Sequence, residues 1–205
     1  MNEPGTLVKF GHKNHIRKLL DEGELYLNNL PYFWEVEDGL VRGDANDGVD
    51  ALHRGTQAKM FKKDGTEIPA HITSWVIREH TAAETKNILC MYSLRKSTSP
   101  IDDRVLDFGD TSLRFTQPEV FYERLCDAVS REKLDFHGDL VEYVPDSHTG
   151  DVGLFRKLAA FTWQAEWRFV VYNGSGGPLT INLGPLNDIA EILPTRLLIE
   201  ESKDI

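Results

Sequence analysis

The chain is poor in cysteine and has fewer basic than acidic residues. Its 205 residues include two cysteines, Cys90 and Cys126, which both stand among apolar neighbours. We therefore expect two reduced, packed thiols rather than a disulfide or a metal site. The 23 Lys and Arg residues face 33 Asp and Glu residues, which gives a formal net charge of −10. A net charge of this sign does not attract a phosphate backbone. It still allows a small basic cleft that acts on a nucleic acid, because net charge is a sum over the whole chain.

Long apolar runs and several active-site motifs are also missing. No window approaches the roughly 20 apolar residues of a membrane span, and the first residues lack the features of a secretion signal. We therefore expect a cytoplasmic protein with no membrane segment. The sequence contains no Gly-x-Gly-x-x-Gly, no Gly-Lys-Ser/Thr loop, no His-Glu-x-x-His, no Cys-x-x-Cys and no Gly-x-Ser-x-Gly. Hydride transfer and serine hydrolysis thus lack their usual signatures, and the seven scattered histidines do not predict a metal site.

Apolar periodicity predicts more strands than helices. Strands are predicted at 7–10, 24–28, 72–78, 87–94, 113–115, 140–144, 163–172, 179–183, 189–193 and 197–199, with a short hairpin at 58–68. Helices are predicted at 15–20, with Asn14 as N-cap and Gly23 as stop, at 119–129 and at 154–160. This pattern favours one α+β domain, 1–205, with a mixed, mainly antiparallel split sheet and a few helices.

The segment 38–56 is dense in Gly, Asp and Asn over its first part, which predicts a long loop. Its acid spacing resembles a calcium loop, but Val49 and Gly55 stand where an EF-hand needs Gly and Glu. Loops of this length are often functional, so the segment is a candidate lid.

The stretch 161–172 has two different faces when it is read as a strand. Trp163, Ala165, Trp167, Phe169 and Val171 alternate with a polar row of Gln164, Glu166 and Arg168. The polar row either pairs charges across strands at the surface or lines a cleft. In a cleft, Glu166 could accept a ribose hydroxyl and stabilise positive charge at the adjacent anomeric carbon, while Gln164 orients an acceptor. The second interpretation predicts cleavage of an N-glycosidic bond.

Several short motifs are spread over most of the chain, namely Lys9-Phe10, 16–20, 23–33, Arg42-Gly43-Asp44, 155–157 and 163–168. Together they resemble a bacterial family of unknown function that is often encoded beside phage-defence genes. The layout of that family is similar to the ADP-ribosyltransferase superfamily. Such enzymes have a polar NAD-contacting residue on the first strand, a small polar residue on the second strand, and Gln-x-Glu on a late strand.

The resemblance implies an ADP-ribosyltransferase-like fold and a catalytic pair on the late strand. Glu166 would be the catalytic carboxylate and Gln164 the residue that orients the acceptor. NAD would be the substrate, and its ADP-ribose would pass to a macromolecule, either nucleic acid or protein, or to water. A phage-defence toxin of this kind would have an antitoxin as a candidate partner, and no metal is implied.

The resemblance also implies residues that hold NAD. Lys9 or His12 would take the first-strand role and Asn28 the second-strand role, while Tyr32 or Phe33 would stack on nicotinamide. The chain departs from the superfamily at Lys9, where Arg or His is usual, and at Asn28, where Ser-Thr-Ser or Tyr is usual. Simpler interpretations remain open, because Phe33 could be a core aromatic and Lys9 a charge on an edge strand.

Two other functions also remain open. The chain could be an inactive relative that binds a nucleotide or a partner without turnover. It could also be a metal-dependent nuclease built on Glu166-x-Arg168, although such sites usually have Lys in place of Arg168 and Asp on the preceding strand.

Overall fold

The computed structural model of the chain describes residues 5–36 and 43–205. Within these residues, the first half contains β1 (Thr6–Gly11), α1 (Lys13–Glu22), β2 (Glu24–Asn29), α2 (Leu30–Glu35), β3 (Ala51–Gly55), β4 (Met60–Phe61), β5 (Glu67–Ile68), β6 (Trp75–Glu79) and β7 (Asn87–Leu94). The second half contains β8 (Thr111–Phe115), α3 (Pro118–Arg131), β9 (Phe136–Leu140), β10 (Glu142–Val144), β11 (Gly150–Asp151), β12 (Arg156–Leu158), β13 (Glu166–Val171), β14 (Leu179–Asn182), β15 (Ala190–Pro194) and α4 (Thr195–Glu201).

The main sheet has eight strands and is organised around β7. One edge of β7 pairs with β13 from Asn87 to Tyr92. The opposite edge is shared, because β1 pairs with its last residues, at Tyr92 to Leu94, and β2 with its first residues, at Asn87 and Ile88. The strands β1 and β2 therefore separate along β7, and we call the gap between them the fork. All pairs in this sheet are antiparallel, so the prediction of a mainly antiparallel α+β fold is confirmed.

The largest apolar cluster covers the face of the sheet that carries Trp167, Phe169 and Val171. The helices α1 and α3 pack there through Ile16, Leu19, Phe121, Leu125 and Val129. Smaller clusters lie around Val8, Tyr92 and Leu198 and around Leu30, Ile88 and Val170. Both faces of the central strands are therefore covered, as the near-continuous apolar run of β7 predicted.

The helix α1 ends where the sequence predicted but begins earlier. It ends at Gly23, which has a φ of 68° and donates its N–H to Leu19 O. A Cβ at Gly23 would lie 1.8 Å from Gly184 O, so both the conformation and the close approach require glycine. The predicted cap at Asn14 is wrong, since the helix starts at Lys13 and His12 is the N-cap.

The prediction of a helix at 154–160 is wrong. Residues Arg156–Leu158 form β12, which pairs in parallel with β10. A short 3₁₀ helix at Ala159–Gln164 follows, and Ala165 has a φ of 40°. The late strand therefore begins at Glu166 rather than at residue 163.

The end of the chain also pairs differently from the predicted hairpin. The strand β14 pairs with β2 from Leu179 to Asn182 instead of with β13, whose partners are β7 and β9. The predicted strand at 197–199 lies inside helix α4.

The predicted loop 38–56 is described from residue 43 onward. Arg42 and the rest of 38–42 lie outside the described residues. A turn at 45–48 leads into β3, which pairs with β6 and β11, so the final part of the predicted loop is a strand. The turn itself brings Asp47 into the interior.

Candidate functional site

A cavity of about 590 Å³ lies at the fork between β1 and β2. Its walls come from both of these strands, from Ile88 to Tyr92 of β7, and from the first turns of α1 and α2. The Lys9 ammonium reaches into the fork and donates to the backbone oxygen of Cys90 at 2.8 Å. The separation of the two strands thus leaves a space of the size that small-molecule ligands occupy in proteins.

The residues that the sequence singled out lie around this one cavity. All seven of the predicted site residues line it, namely Lys9, His12, Asn28, Tyr32, Phe33, Gln164 and Glu166. They come from β1, the N-cap of α1, β2, α2, the 3₁₀ helix before β13 and the first residue of β13, which are spread over the sequence from residue 9 to residue 166. The structure therefore brings together residues that a local pattern alone could not connect.

The polar row of the late strand is buried rather than at the surface. Glu166 is 4% exposed and Arg168 is 0% exposed. The interpretation of these two residues as a surface charge pair is therefore wrong. Arg168 lies opposite Cys90 on β7, and Glu166 lies opposite Tyr92.

Arg168 uses its guanidinium for several contacts. Its two terminal nitrogens donate to the two carboxylate oxygens of Asp47 at 2.7 and 3.0 Å. Its Nε donates to Glu166 Oε1 at 2.6 Å, and Nη1 also donates to the backbone oxygen of Leu154 at 2.7 Å. Arg168 pairs with Asp47 in a bidentate manner and also binds Glu166. These bonds fix both carboxylates, so Arg168 holds the turn at Asp47 against β13.

Lys157 joins the same group from β12. Its Nζ donates to Gln164 Oε1 at 2.8 Å and to Glu166 Oε2 at 3.0 Å, and it lies 3.3 Å from Asp47 Oδ2. Gln164 belongs to the 3₁₀ helix rather than to the strand. Its amide oxygen and the Glu166 carboxylate nevertheless accept hydrogen bonds from the same Lys157 ammonium. We call Asp47, Lys157, Glu166 and Arg168 the buried ion cluster, which holds two acids and two bases.

The buried ion cluster keeps Glu166 ionised. Burial alone would raise the pKa of Glu166, but the charges of Arg168 and Lys157 outweigh it and lower that pKa below the usual range. Burial would likewise lower the pKa of Lys157, yet Asp47 and Glu166 raise it. A carboxylate that stays charged beside a cavity can accept hydrogen bonds from a ligand.

Two weak acids beside Glu166 remain protonated. Burial, together with the negative charge of Glu166, raises the pKa of the Cys90 thiol to about 12. The Tyr143 hydroxyl accepts from the backbone N–H of Glu166 at 3.0 Å, and burial raises its pKa. Both cysteines are free, as predicted.

Asp44 is a buried acid outside the ion pairs of the cluster. Its Oδ1 accepts from the backbone N–H of Asn46 at 2.8 Å, while Oδ2 has no hydrogen-bond partner among the described residues. Burial and the nearby charge of Asp47 raise the pKa of Asp44. This carboxyl is therefore the one in the region that is least suited to being ionised.

Sequence reasoning missed two members of the cluster. Asp47 is one of several acids in a Gly- and Asn-rich loop, and nothing in the local pattern distinguishes it. Lys157 stood in a motif of the resemblance but received no role. The alternation of the late strand had pointed to Arg168, although without its partners.

The described residues contain no group of three or more His, Cys, Asp or Glu residues that could hold a metal ion. The nuclease alternative therefore has no ligand set within 5–36 and 43–205. In the same ranges, no helix has the length and apolar character needed to cross a bilayer.

Comparison of the chain with family models, with curated proteins and with solved structures gave no match.

Proposed function

We propose that the chain is an ADP-ribosyltransferase-like enzyme that cleaves NAD and transfers ADP-ribose to a macromolecule. The observation that carries the proposal is the convergence of all seven predicted site residues on one cavity of about 590 Å³. Known ligand pockets span roughly 300–1,000 Å³, so a dinucleotide is a suitable occupant. The fork in the sheet would correspond to the split sheet that the superfamily layout implies.

Glu166 would act on the nicotinamide ribose. An ionised carboxylate has about four acceptor positions, and the ones facing Arg168 and Lys157 are taken. A further position could accept the ribose 2′-hydroxyl. The bond from C1′ to nicotinamide would then break, nicotinamide would leave with the bonding electrons, and the carboxylate would stabilise the oxocarbenium ion. The acceptor would attack C1′ and lose its proton.

The other cavity residues would position the substrate and the acceptor. Gln164 would orient the acceptor, and Asn28 would bind the ribose or amide of NAD. Tyr32 and Phe33, whose ring centroids are 5.4 Å apart, would offer an aromatic surface for nicotinamide. The acceptor would be a nucleic acid or a protein, and a role as a phage-defence toxin would require an antitoxin that covers the cavity.

The test is release of nicotinamide from NAD by the purified chain, followed by transfer of labelled ADP-ribose in a cell lysate. Glu166→Ala is a poor probe alone, because it leaves Arg168 and Lys157 with Asp47 as their one remaining carboxylate in the buried ion cluster and will lower stability. Asn28→Ala lies outside the ion cluster, so it should slow nicotinamide release while the unfolding midpoint changes little. No release by the wild-type chain, with or without lysate, would rule out the enzyme.

One observation favours a second candidate, a domain that binds a nucleotide without turnover. Both oxygens of Glu166 are engaged by cations, and the cluster that contains it is balanced in charge. A balanced cluster stabilises a developing positive charge less than a lone carboxylate does. A rise of the melting temperature with ADP-ribose, without nicotinamide release over hours, would select this candidate over the enzyme.

A further inference from the structure

Lys9 places an amine in the cavity, and no carboxylate of residues 5–36 or 43–205 forms an ion pair with it. It is half-buried on β1, and its ammonium donates to the backbone oxygen of Cys90 rather than to a carboxylate. Within the described residues, Glu166 acts on it only as a more distant charge. Lys9 therefore faces the cavity as an amine whose charged form no carboxylate among the described residues pairs with directly.

Two other lysines line the same cavity, and both are held by acids. Lys18 Nζ lies 2.6 Å from Glu24 Oε1. Lys157 Nζ contacts Glu166, Asp47 and Gln164 inside the buried ion cluster. An ammonium that is paired with a carboxylate keeps its proton and is a poor nucleophile. Of the three, Lys9 is thus the one whose surroundings favour the neutral amine.

The direction of the Lys9 pKa shift agrees with the absence of an ion pair between Lys9 and any carboxylate of the described residues. Burial lowers the pKa of Lys9, and the opposing effects of Cys90 and Glu166 are smaller. The Glu166 charge is compensated by Arg168 and Lys157, so it supports the Lys9 ammonium only weakly. By contrast, the hydrogen bond that Lys18 donates to Glu24 raises the pKa of Lys18. Desolvated lysines of this kind are the ones that proteins use as nucleophiles.

We propose that Lys9 is a reactive amine that forms an imine with a small aldehyde bound in the cavity. The Nζ lone pair attacks the carbonyl carbon, both Nζ protons are lost, and the carbonyl oxygen leaves as water. The cavity wall near Lys9 includes the apolar residues Val8, Phe10 and Met91, which make the surroundings of the bond that forms less polar than bulk water. The step needs no oxidant or reductant, and it does not depend on NAD cleavage.

The experiment is reductive trapping of the whole chain with pyridoxal 5′-phosphate and borohydride at neutral pH, followed by peptide mapping of each lysine against time. Lys9 should be labelled first. Lys9 should react faster than Lys18, because burial lowers the pKa of Lys9 and so enlarges its neutral fraction, whereas the pKa of Lys18 is raised. The exposed Lys62 and Lys63 serve as references for amines with full access to the reagent.

Two variants complete the test. Lys9→Arg keeps the positive charge but cannot form an imine, so the fast labelling should disappear; Lys18→Arg should leave it unchanged. Labelling of Lys18, Lys62 or Lys63 as fast as Lys9 in the wild-type chain would overturn the proposal. That comparison is internal to one folded protein, so it decides the question even if Lys9→Arg fails to fold.

Discussion

The two faces of β13 are both buried, but they are stabilised in different ways. One face inserts Trp167, Phe169 and Val171 into the main apolar cluster. The other inserts Glu166 and Arg168 into a cluster of balanced charge. Burial of apolar side chains is favourable by itself, whereas a buried charge is tolerated only when its partners are complete. The polar face is therefore the more fragile of the two, and it is the one that meets the cavity.

The largest expected effect comes from removing one partner on the polar face. Asp47→Ala leaves Arg168 and Lys157 with only Glu166 as a counter-ion, at a place where the side chains of the buried ion cluster are at most 5% exposed. We expect a loss of about 3–5 kcal/mol in the free energy of unfolding. Urea denaturation followed by tryptophan fluorescence measures it.

The control removes an exposed ion pair from the same protein. Glu142 pairs with Arg156 at 2.8 Å, and the two side chains are 65% and 41% exposed. Glu142→Ala should therefore cost less than about 1 kcal/mol. If Asp47→Ala costs no more than Glu142→Ala, the polar face of β13 does not depend on complete pairing.

The loss of stability at low pH, which we call the acid limb, should depend on the polar face of β13 and not on its apolar face. The pKa of Glu166 is lowered in the folded state, so its contribution is present in full above the unfolded pKa near 4.5 and is lost as pH falls through the folded pKa. Glu166→Gln should flatten this limb. Phe169→Ala, which destabilises through lost packing, should keep the wild-type dependence of the free energy of unfolding on pH. The same dependence in both variants would contradict the role of Glu166 in the acid-induced loss of stability. Chemical denaturation between pH 2 and 6 gives the curves.

A smaller effect on the free energy of unfolding is expected at Asp44, the buried acid that forms no ion pair in the cluster. The raised pKa of Asp44 means that its contribution to stability is lost as pH rises through the folded value. Asp44→Asn keeps an acceptor for the Asn46 N–H and removes the charge. We expect a gain of about 1 kcal/mol at pH 7, measured as the urea midpoint. A loss of stability would mean that Asp44 is a working member of the ion cluster.

The smallest change in stability is expected at the aromatic wall of the cavity. Tyr32 is 36% exposed and Tyr172 is 37% exposed, so they form a matched pair of which only Tyr32 lines the cavity. If the proposed function is right, Tyr32→Ala should weaken NAD binding about two- to tenfold through lost stacking. Tyr172→Ala should leave binding unchanged. Fluorescence titration of both variants measures the difference, and equal affinities would remove Tyr32 from the site.

Periodicity was sufficient to predict the central part of the fold. The apolar run 87–94 predicted a central strand, and β7 indeed has partners on both edges. Alternation along the late strand correctly separated the core face, with Trp167 and Phe169, from the polar face. These predictions succeed because the period of a strand or helix is a local property of the chain.

The failures involve pairing between distant segments. The residues 154–160 have apolar spacing that suits a helix, but parallel pairing with β10 turns 156–158 into a strand. The pairing of β14 with β2 is equally non-local. The buried ion cluster was missed for the same reason, because Asp47 lies 121 residues from Arg168. Alternation shows which face Glu166 occupies, whereas only tertiary structure shows what neutralises it.

The most direct test of the account is calorimetric titration of NAD into the wild-type chain and into Asn28→Ala. If the cavity at the fork is the NAD site, the wild-type chain binds saturably at one site, ADP-ribose competes, and the variant binds more weakly with an unchanged unfolding midpoint. Absence of saturable binding to the wild-type chain, or equal affinity of the two proteins, would contradict it.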